Sequence, residues 1–539
     1  MGMEFDILIV GGRVFDGTGN PWFYGDIGVL GDKIAFIGKA RGVDAKMVID
    51  ASGLAVAPGF IDMHSHSDLE LLVDGRAISK IHQGVTLEVV GNCGSSAAPL
   101  NDLLKAHMEK FVLPEYDWQI KLDWSTMGEY FNKLEKGGIS LNVASHVGHS
   151  NVRACVLGFD NREPTSRELE DMKKLVADAM RDGAVGLSTG LIYPPSCYAK
   201  TGEIIELAKV VADYGGIYAS HIRGEGETLL EAVREAIRIG REAKVPVEIS
   251  HFKASGKLNW GKVKDAAKII EEAREMGVDV TADQYPYIAA STSLSALLPE
   301  WAHEGGAEKL LERLKNPESL NKIKSHLEMY KRRDPEYWNR IMISYLEKNK
   351  QFLGKTISEI SSMLNLSPED TVIKLLLDEE TRVSHISFGM CEEDVEYVMR
   401  LPWVMVGSDG SAVAPEGVLG KGKPHPRYYG TFPRVLGVYS RERKVISLEQ
   451  AIRKMTYLPA WRLGFRDRGI IREGAYADIV VFDPKTVIDN ATFIDPHRLP
   501  SGILHVIVNG VVIIYNGVHT GAKAGRVLRR YGFEKLKTS

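Results

Sequence analysis

Disulfide chemistry has no foothold in this chain. Its four cysteines, Cys93, Cys155, Cys197 and Cys391, are scattered over 539 residues and form no framework pattern. No apolar run is long enough to cross a bilayer. Neither sign of charge is in large excess: the formal net charge of -4 leaves no electrostatic footprint for nucleic acid or an anionic membrane. The first residues, Met1-Gly2-Met3-Glu4-Phe5-Asp6, lack the basic and apolar regions of a signal peptide. Asp6 stands where a myristoylation signal needs Ser or Thr. These absences predict a cytoplasmic protein whose partner is a small-molecule substrate, with no nucleic acid and no membrane; a homo-oligomer is compatible with them. Glutamine is scarce too (Gln83, Gln119, Gln284, Gln351 and Gln450), a lean toward a thermophilic source that says nothing of function.

What is present is a soluble globular composition, 44% hydrophobic and 26% charged, with enough apolar residues for a sizeable core. Between about Leu54 and Asp409, short β-rich runs alternate with amphipathic helical stretches such as Ser166 to Met180, Gly226 to Arg241 and Val263 to Met276. The strand candidates end at His66, Cys93, His146, Ser188, His221, His251, Asp283 and Asp409. This rhythm predicts an α/β fold, a (β/α)8 barrel with polar residues at the carboxyl ends of its strands, where barrel enzymes carry their chemistry. An open doubly wound sheet is the competing architecture, and the lack of a G-x-G-x-x-G turn after the first strand weighs against it. Both chain ends read as short strands and turns, each too small for its own core, and together they predict one small β-domain beside the barrel. The expected division is 1–53 and 466–539 for that domain and 54–465 for the barrel. A charged, helix-prone insertion at about 297–379 follows the seventh strand. It reads either as a lid over the active-site face or as a surface excursion.

The densest chemistry lies in Pro58-Gly59-Phe60-Ile61-Asp62-Met63-His64-Ser65-His66. The preceding run, Leu54-Ala55-Val56-Ala57, reads as a buried strand, and strand residues two apart project on one side. His64 and His66 can therefore reach one metal ion or a tight cluster, neutral imidazole being a common ligand. Cys93 follows the second strand, and a thiolate is a strong zinc ligand, although a buried small hydrophobe is the commoner fate of a free cysteine. His221 and His251 follow strand-like runs, and Asp409 closes Val406-Gly407-Ser408-Asp409-Gly410. Ligand-type residues repeated at successive strand ends point to a metal site. His146 and His149 end the third strand, where structural hydrogen bonding is the expected role, with orientation of a ligand or substrate as the alternative.

At this point the chain resembles a known family. The Pro-Gly-Phe-Ile-Asp-x-His-x-His block, single histidines after strands five and six, and an aspartate after strand eight are the pattern of the amidohydrolase superfamily. Gly84-Val85-Thr86 through Gly91-Asn92-Cys93-Gly94, Ser220-His221-Ile222-Arg223, His251-Phe252-Lys253, Gly430-Thr431-Phe432-Pro433-Arg434 and Glu473-Gly474-Ala475-Tyr476-Ala477-Asp478 resemble the N-acyl-D-amino-acid deacylases, or D-aminoacylases. The likeness covers nearly the whole chain, and the Cys93 block is its most specific part.

The resemblance implies a zinc-dependent hydrolysis of N-acyl-D-amino acids. It makes Cys93, His221 and His251 ligands of one tight zinc, and His64 and His66 ligands of a second, weaker position. Asp409 then becomes the general base and acid of catalysis. It assigns the substrate's carboxylate to Lys253 and Arg427, with Tyr193, Tyr285 and Ser291 as further substrate contacts. Many amidohydrolases bridge two metals with a carboxylated lysine after the fourth strand. Here that strand reads Gly186-Leu187-Ser188-Thr189-Gly190, so Cys93 takes the bridging place. The departure separates this chain from hydantoinases and dihydropyrimidinases. Action on D-residue peptides or cyclic amides, and a barrel scaffold without catalysis, are the alternatives.

Overall fold

Eight short strands pair in parallel, in the order in which the chain presents them: Phe60–Asp62, Val85–Val90, Asn142–Gly148, Gly186–Gly190, Ile217–His221, Val247–Ile249, Val280–Gln284 and Val404–Val406. The computed structural model describes residues 4–530. The reading of Met1–Met3 as lacking a leader, and the end of the tail at 531–539, lie outside the described residues.

Every residue of these strands is buried, as expected of parallel strands sandwiched between an interior and a ring of helices. The ring meets itself where the first and eighth strands run out. Ser65 bridges Gly410 in parallel, the Asp409 amide donates to the His64 carbonyl (2.8 Å) and the His66 amide to the Gly410 carbonyl (3.1 Å). Ile61, Leu87, Val89, Ala144, Val185 and Met405 fill the interior. The helices fall where the apolar periodicity places them, at Ser166–Asp182, Leu229–Ala243 and Lys262–Glu275. The first opens on a capping box, Thr165 with Glu168, which satisfies the orphan amides of its first turn.

Both chain ends meet in a nine-stranded sheet. Its centre is Ala55–Pro58, which pairs in parallel with Phe5–Val14 and antiparallel with Ile479–Phe482. The run Leu54 to Ala57 is therefore not the strand that carries the histidine pair. The chain changes sheets at Gly59, and the first barrel strand begins only at Phe60. A Cβ at Gly59 would lie 2.2 Å from Thr86 Oγ1, so only glycine lets the backbone pass this close to the second barrel strand.

The insertion after the seventh strand folds around its own core, which includes Leu294, Ile323, Leu327, Ile341 and Ile343. Its helices include Ala307–Lys315, Pro317–Arg333 and Ile357–Leu364, as the sequence predicts. It also holds a three-stranded antiparallel sheet of Ala290–Ser293, Ser384–Ser387 and Ile341–Tyr345, which the sequence reading does not contain. Two of these strands are Ser- and Thr-rich runs of four residues, too short and too polar to show a period.

One buried cation ties the barrel's seam together. Lys80, on the short helix Ile78–Ile81, donates from Nζ to Asp62 Oδ2 (2.6 Å), Ser408 Oγ (2.7 Å) and the Gly410 carbonyl (2.9 Å), and lies 3.2 Å from Glu88 Oε1. Burial alone would lower its pKa, but Asp62 and Glu88 more than reverse that, so the ammonium is held charged. Removing one partner of such a group leaves the other charges uncompensated. Lys80→Met should lower the unfolding free energy by about 3–5 kcal/mol, read as a drop in the chemical-denaturation midpoint. A midpoint equal to the parent's would show that the seam closes without the ammonium.

Candidate metal centre

The ligand-type residues converge at the carboxyl end of the barrel. His64 and His66 follow the first strand, Cys93 the second, His221 ends the fifth, and His251 and Asp409 follow the sixth and eighth. Cys93, His251 and Asp409 each adopt a left-handed backbone, with φ of 52°, 36° and 50°. For residues with a Cβ this conformation costs about 1–3 kcal/mol each, and such strain gathers at functional sites. Here it turns three side chains inward from chain segments that are leaving the barrel.

Cys93 Sγ lies 3.3 Å from His64 Nε2, 3.6 Å from His221 Nδ1 and 3.5 Å from His251 Nε2. A tetrahedral zinc with ordinary bond lengths of about 2.3 Å to sulfur and 2.0–2.1 Å to nitrogen separates such donors by about 3.5 Å. The residues present therefore fit the metal. Two overlapping groups have all ligand atoms within 4.8 Å of one another: His64, His66, Cys93 and Asp409, and Cys93, His221 and His251. Cys93 belongs to both. Burial works to raise the thiol's pKa, but the neighbouring imidazoles, His64 and His251 foremost, hold it well below the usual thiol range. A thiolate shared by two sets of imidazoles is a donor set for zinc.

Carboxylates behind the imidazoles fix their faces. His64 Nδ1 meets Asp283 Oδ2 at 3.2 Å, and the other Asp283 oxygen accepts the His251 amide at 2.9 Å. His251 Nδ1 lies 2.8 Å from Glu225 Oε1. Each arrangement leaves the opposite nitrogen for a metal, as in carboxylate–histidine–metal units. The sequence reading gave Asp283 no role beyond a strand end and missed Glu225 altogether. Its one signal is position, just after the His221 strand end. Ser188, on the fourth strand, accepts the Gly94 amide at 3.0 Å and so braces the turn that presents Cys93.

Asp409 stands between the histidines and the expected substrate side. Its Oδ1 lies 3.0 Å from His66 Nε2 and 3.5 Å from His64 Nε2, and its Oδ2 accepts from Arg427 Nη2 at 3.0 Å. Burial would raise its pKa, yet Arg427 and the histidines hold it well below the usual carboxylate range. Arg427 also reaches the Ser291 carbonyl at 3.4 Å, while its Nε and Nη1 are buried with no partner. Tyr285 lies under Arg427, ring to guanidinium 4.7 Å, and its buried hydroxyl is likewise unpartnered. Lys253 donates to Glu225 Oε1 at 2.5 Å, 5.7 Å from the Tyr285 ring. Tyr193 sets its ring edge against His221 (5.1 Å) and its hydroxyl 2.9 Å from Thr292 Oγ1. All eleven site residues named from the sequence thus gather at the carboxyl end of the barrel.

The two histidines of the third strand part ways. His149 pairs with Ser196 and Glu203 (3.0 Å), the structural role expected. His146 is buried with neither ring nitrogen hydrogen-bonded, so the structural bonding expected of it is not made. Burial, reinforced by His64, pushes its pKa down to about 3 and keeps it neutral.

The profile of the amidohydrolase family matches residues 47–318 and 369–514. A D-aminoacylase of Alcaligenes xylosoxydans xylosoxydans is 38% identical over 527 residues, 98% of each chain. The chain belongs to the D-aminoacylase family of the amidohydrolases. Among solved structures, a D-aminoacylase described with a binuclear metal centre superposes with a TM-score of 0.82 at 38% identity, covering 97% of this chain and all of that one. An N-acyl-D-glutamate deacylase from Bordetella bronchiseptica, complexed with zinc and a phosphonate inhibitor, gives 0.81 at 34% identity, covering 98% and 100%. The family carries the metal chemistry into this chain: a zinc-dependent amidohydrolase with two adjoining metal positions.

Because Cys93 belongs to both groups, Cys93→Ala should leave the purified protein largely zinc-free by elemental analysis. Glu225→Gln should keep the ligands but loosen His251, weakening zinc affinity about 10–100-fold in a chelator competition. Parental zinc content in the cysteine variant would remove Cys93 from the ligand set.

Proposed function

We propose that this enzyme hydrolyses N-acyl-D-amino acids to a carboxylate and a free D-amino acid. The observation that carries the reading is Asp409, whose two oxygens face a metal-type histidine and a buried arginine with donors to spare. The D configuration is supported by the relatives, named as D-aminoacylase and N-acyl-D-glutamate deacylase.

When bound, zinc lowers the pKa of water toward neutrality and polarises the scissile carbonyl. Cys93, His221 and His251 would hold the tight position, and His64 and His66 the weaker one. Asp409, ionised at neutral pH, takes the proton of the attacking water and passes it to the departing nitrogen as the tetrahedral intermediate collapses. An amine leaves only once protonated, so this second transfer is part of the same residue's work. Arg427 receives the substrate's carboxylate on its free donors, an interaction suited to a planar guanidinium. Tyr285 adds its unpartnered hydroxyl, and Lys253 a nearby positive charge. The Arg427 backbone amide donates to His425 Nδ1, whose Nε2 lies 2.9 Å from the Ala289 carbonyl, so the arginine's place is fixed before substrate arrives. Ser291 and Tyr193 line the same rim.

No helix among the described residues is long and apolar enough to cross a membrane. We read the enzyme as cytoplasmic, and its small net charge as that of a protein acting on a small molecule and not on nucleic acid.

The test is a panel of N-acetyl-D- and L-amino acids, dipeptides and hydantoins, in which the D-acyl compounds should be turned over best. Asp409→Asn should lose roughly two to four orders of magnitude in kcat while keeping the tight zinc. Loss of activity that tracks loss of zinc would make Asp409 a ligand first. Arg427→Ala, or amidation of the substrate's carboxylate, should also impair turnover sharply, because a misplaced amide no longer meets its attacking group. Equal rates on the acid and its amide would overturn the carboxylate assignment.

A further inference from the structure

His66 is the most exposed of the metal-type histidines, its side chain 30% accessible, and it borders a cavity of about 340 Å3. Ser95 and Ser150 also border this space. Leu104 and Met108 of the helix Asp102–Phe111, Ala154 of the helix His149–Leu157, Val112 and Phe159 give it apolar walls. Its lining includes no lysine or arginine, whereas Asp68 and Glu70 both border it.

The cavity's place relative to Asp409 says which part of a substrate enters it. Asp409 Oδ2 faces Arg427 and Oδ1 faces His66, each at 3.0 Å. A scissile amide beside Asp409, its carboxylate toward Arg427, lays its acyl half on the His66 side. A water-sized group takes about 30 Å3, so an acetyl methyl leaves most of this space unfilled.

We propose that the cavity is an acyl-chain subsite, and that the enzyme prefers uncharged hydrocarbon acyl groups of medium length to acetyl and to acyl groups bearing a second carboxylate. The proposal rests on the deacylase reading above and deepens it. Each methylene moved from water into apolar walls is worth about a fourfold gain in binding. A second carboxylate entering this space would give up its water against apolar walls with no lysine or arginine to receive it.

The experiment uses the full-length, zinc-loaded protein and a series on D-leucine: N-acetyl, N-butanoyl, N-hexanoyl and N-succinyl. We expect kcat/KM to rise about fourfold per methylene from acetyl to hexanoyl, and succinyl to fall at least about tenfold below butanoyl. Calorimetric titration with the product acids gives a readout apart from turnover: hexanoate should bind more tightly than acetate. Met108→Lys should cut the hexanoyl-to-acetyl ratio of kcat/KM at least about tenfold with zinc content unchanged. A flat or falling series with acetyl hydrolysed normally overturns the subsite and leaves the deacylase reading standing. An unchanged ratio in the lysine variant overturns it too. A zinc-loaded protein inert toward every D-acyl substrate overturns the deacylase reading, and the subsite with it.

Discussion

The buried ammonium of Lys80 is the constraint on which the site depends. A parallel barrel has no hairpin between its first and last strands, so its seam must be closed by something other than local chain connectivity. In this chain the closing contacts gather on one charge, which reaches Asp62 of the first strand, approaches Glu88 of the second, and binds Ser408 and Gly410 beyond the eighth. Asp62 in turn accepts the Ser408 amide at 2.8 Å and the His64 amide at 3.2 Å. His64, His66 and Asp409 stand within a few residues of these atoms. Holding the seam therefore also holds one side of the metal centre, and a loose seam would misplace His64 and Asp409 together.

The opposite side of the centre is set by a different device. Cys93 and His251 leave their strands in left-handed conformations, which carry a local cost that the surrounding structure must offset. Ser188 braces the cysteine's turn, while Asp283 binds the backbone of one ligand and the side chain of another. One carboxylate thus sets the spacing between His64 and His251, the two imidazoles that flank the thiolate. Cys93 belongs to both groups of ligand-type residues, and the fourth strand, Gly186–Gly190, carries small residues packed tightly beneath the site. A Cβ at Gly190 would come within 2.1 Å of the Cys93 carbonyl, which shows how closely that strand approaches the cysteine loop.

How much of this was legible in the sequence follows from how each residue announces itself. A histidine or cysteine at the end of an apolar run is conspicuous, because burial gives a strand its pattern and the ligand interrupts it. His64, Cys93, His221, His251 and Asp409 were found in this way, and the family resemblance then extended the set to Arg427, Tyr285 and Lys253. Glu225 sits in Arg223-Gly224-Glu225-Gly226-Glu227, a charged loop that in one dimension looks solvated. Only the fold turns it back against His251. Lys80, in Ile78-Ser79-Lys80-Ile81, likewise reads as an ordinary helical lysine until three strands are seen to converge on it. The sheet switch at Gly59 was hidden for the opposite reason. Apolar residues continue through it from Leu54 to Ile61, so hydrophobicity marks one run where geometry makes two strands.

The insertion shows why the barrel's rim and its chemistry belong to one design. Its first strand, Ala290–Ser293, brings the Ser291 carbonyl to Arg427 and Thr292 to the Tyr193 hydroxyl. Arg427 is shared between that strand and Asp409, with two donors left over. A carboxylate bound to those donors would touch, through one planar group, both the rim of the cleft and Asp409, the proposed proton carrier. On the proposed reading, recognition of the substrate's anionic end and orientation of Asp409 are a single mechanical event, since a guanidinium cannot rotate toward one partner without turning on the other. The same rigidity explains why the arginine is buried: a solvated, mobile cation at this position would bind the carboxylate but pass no orientation on to Asp409.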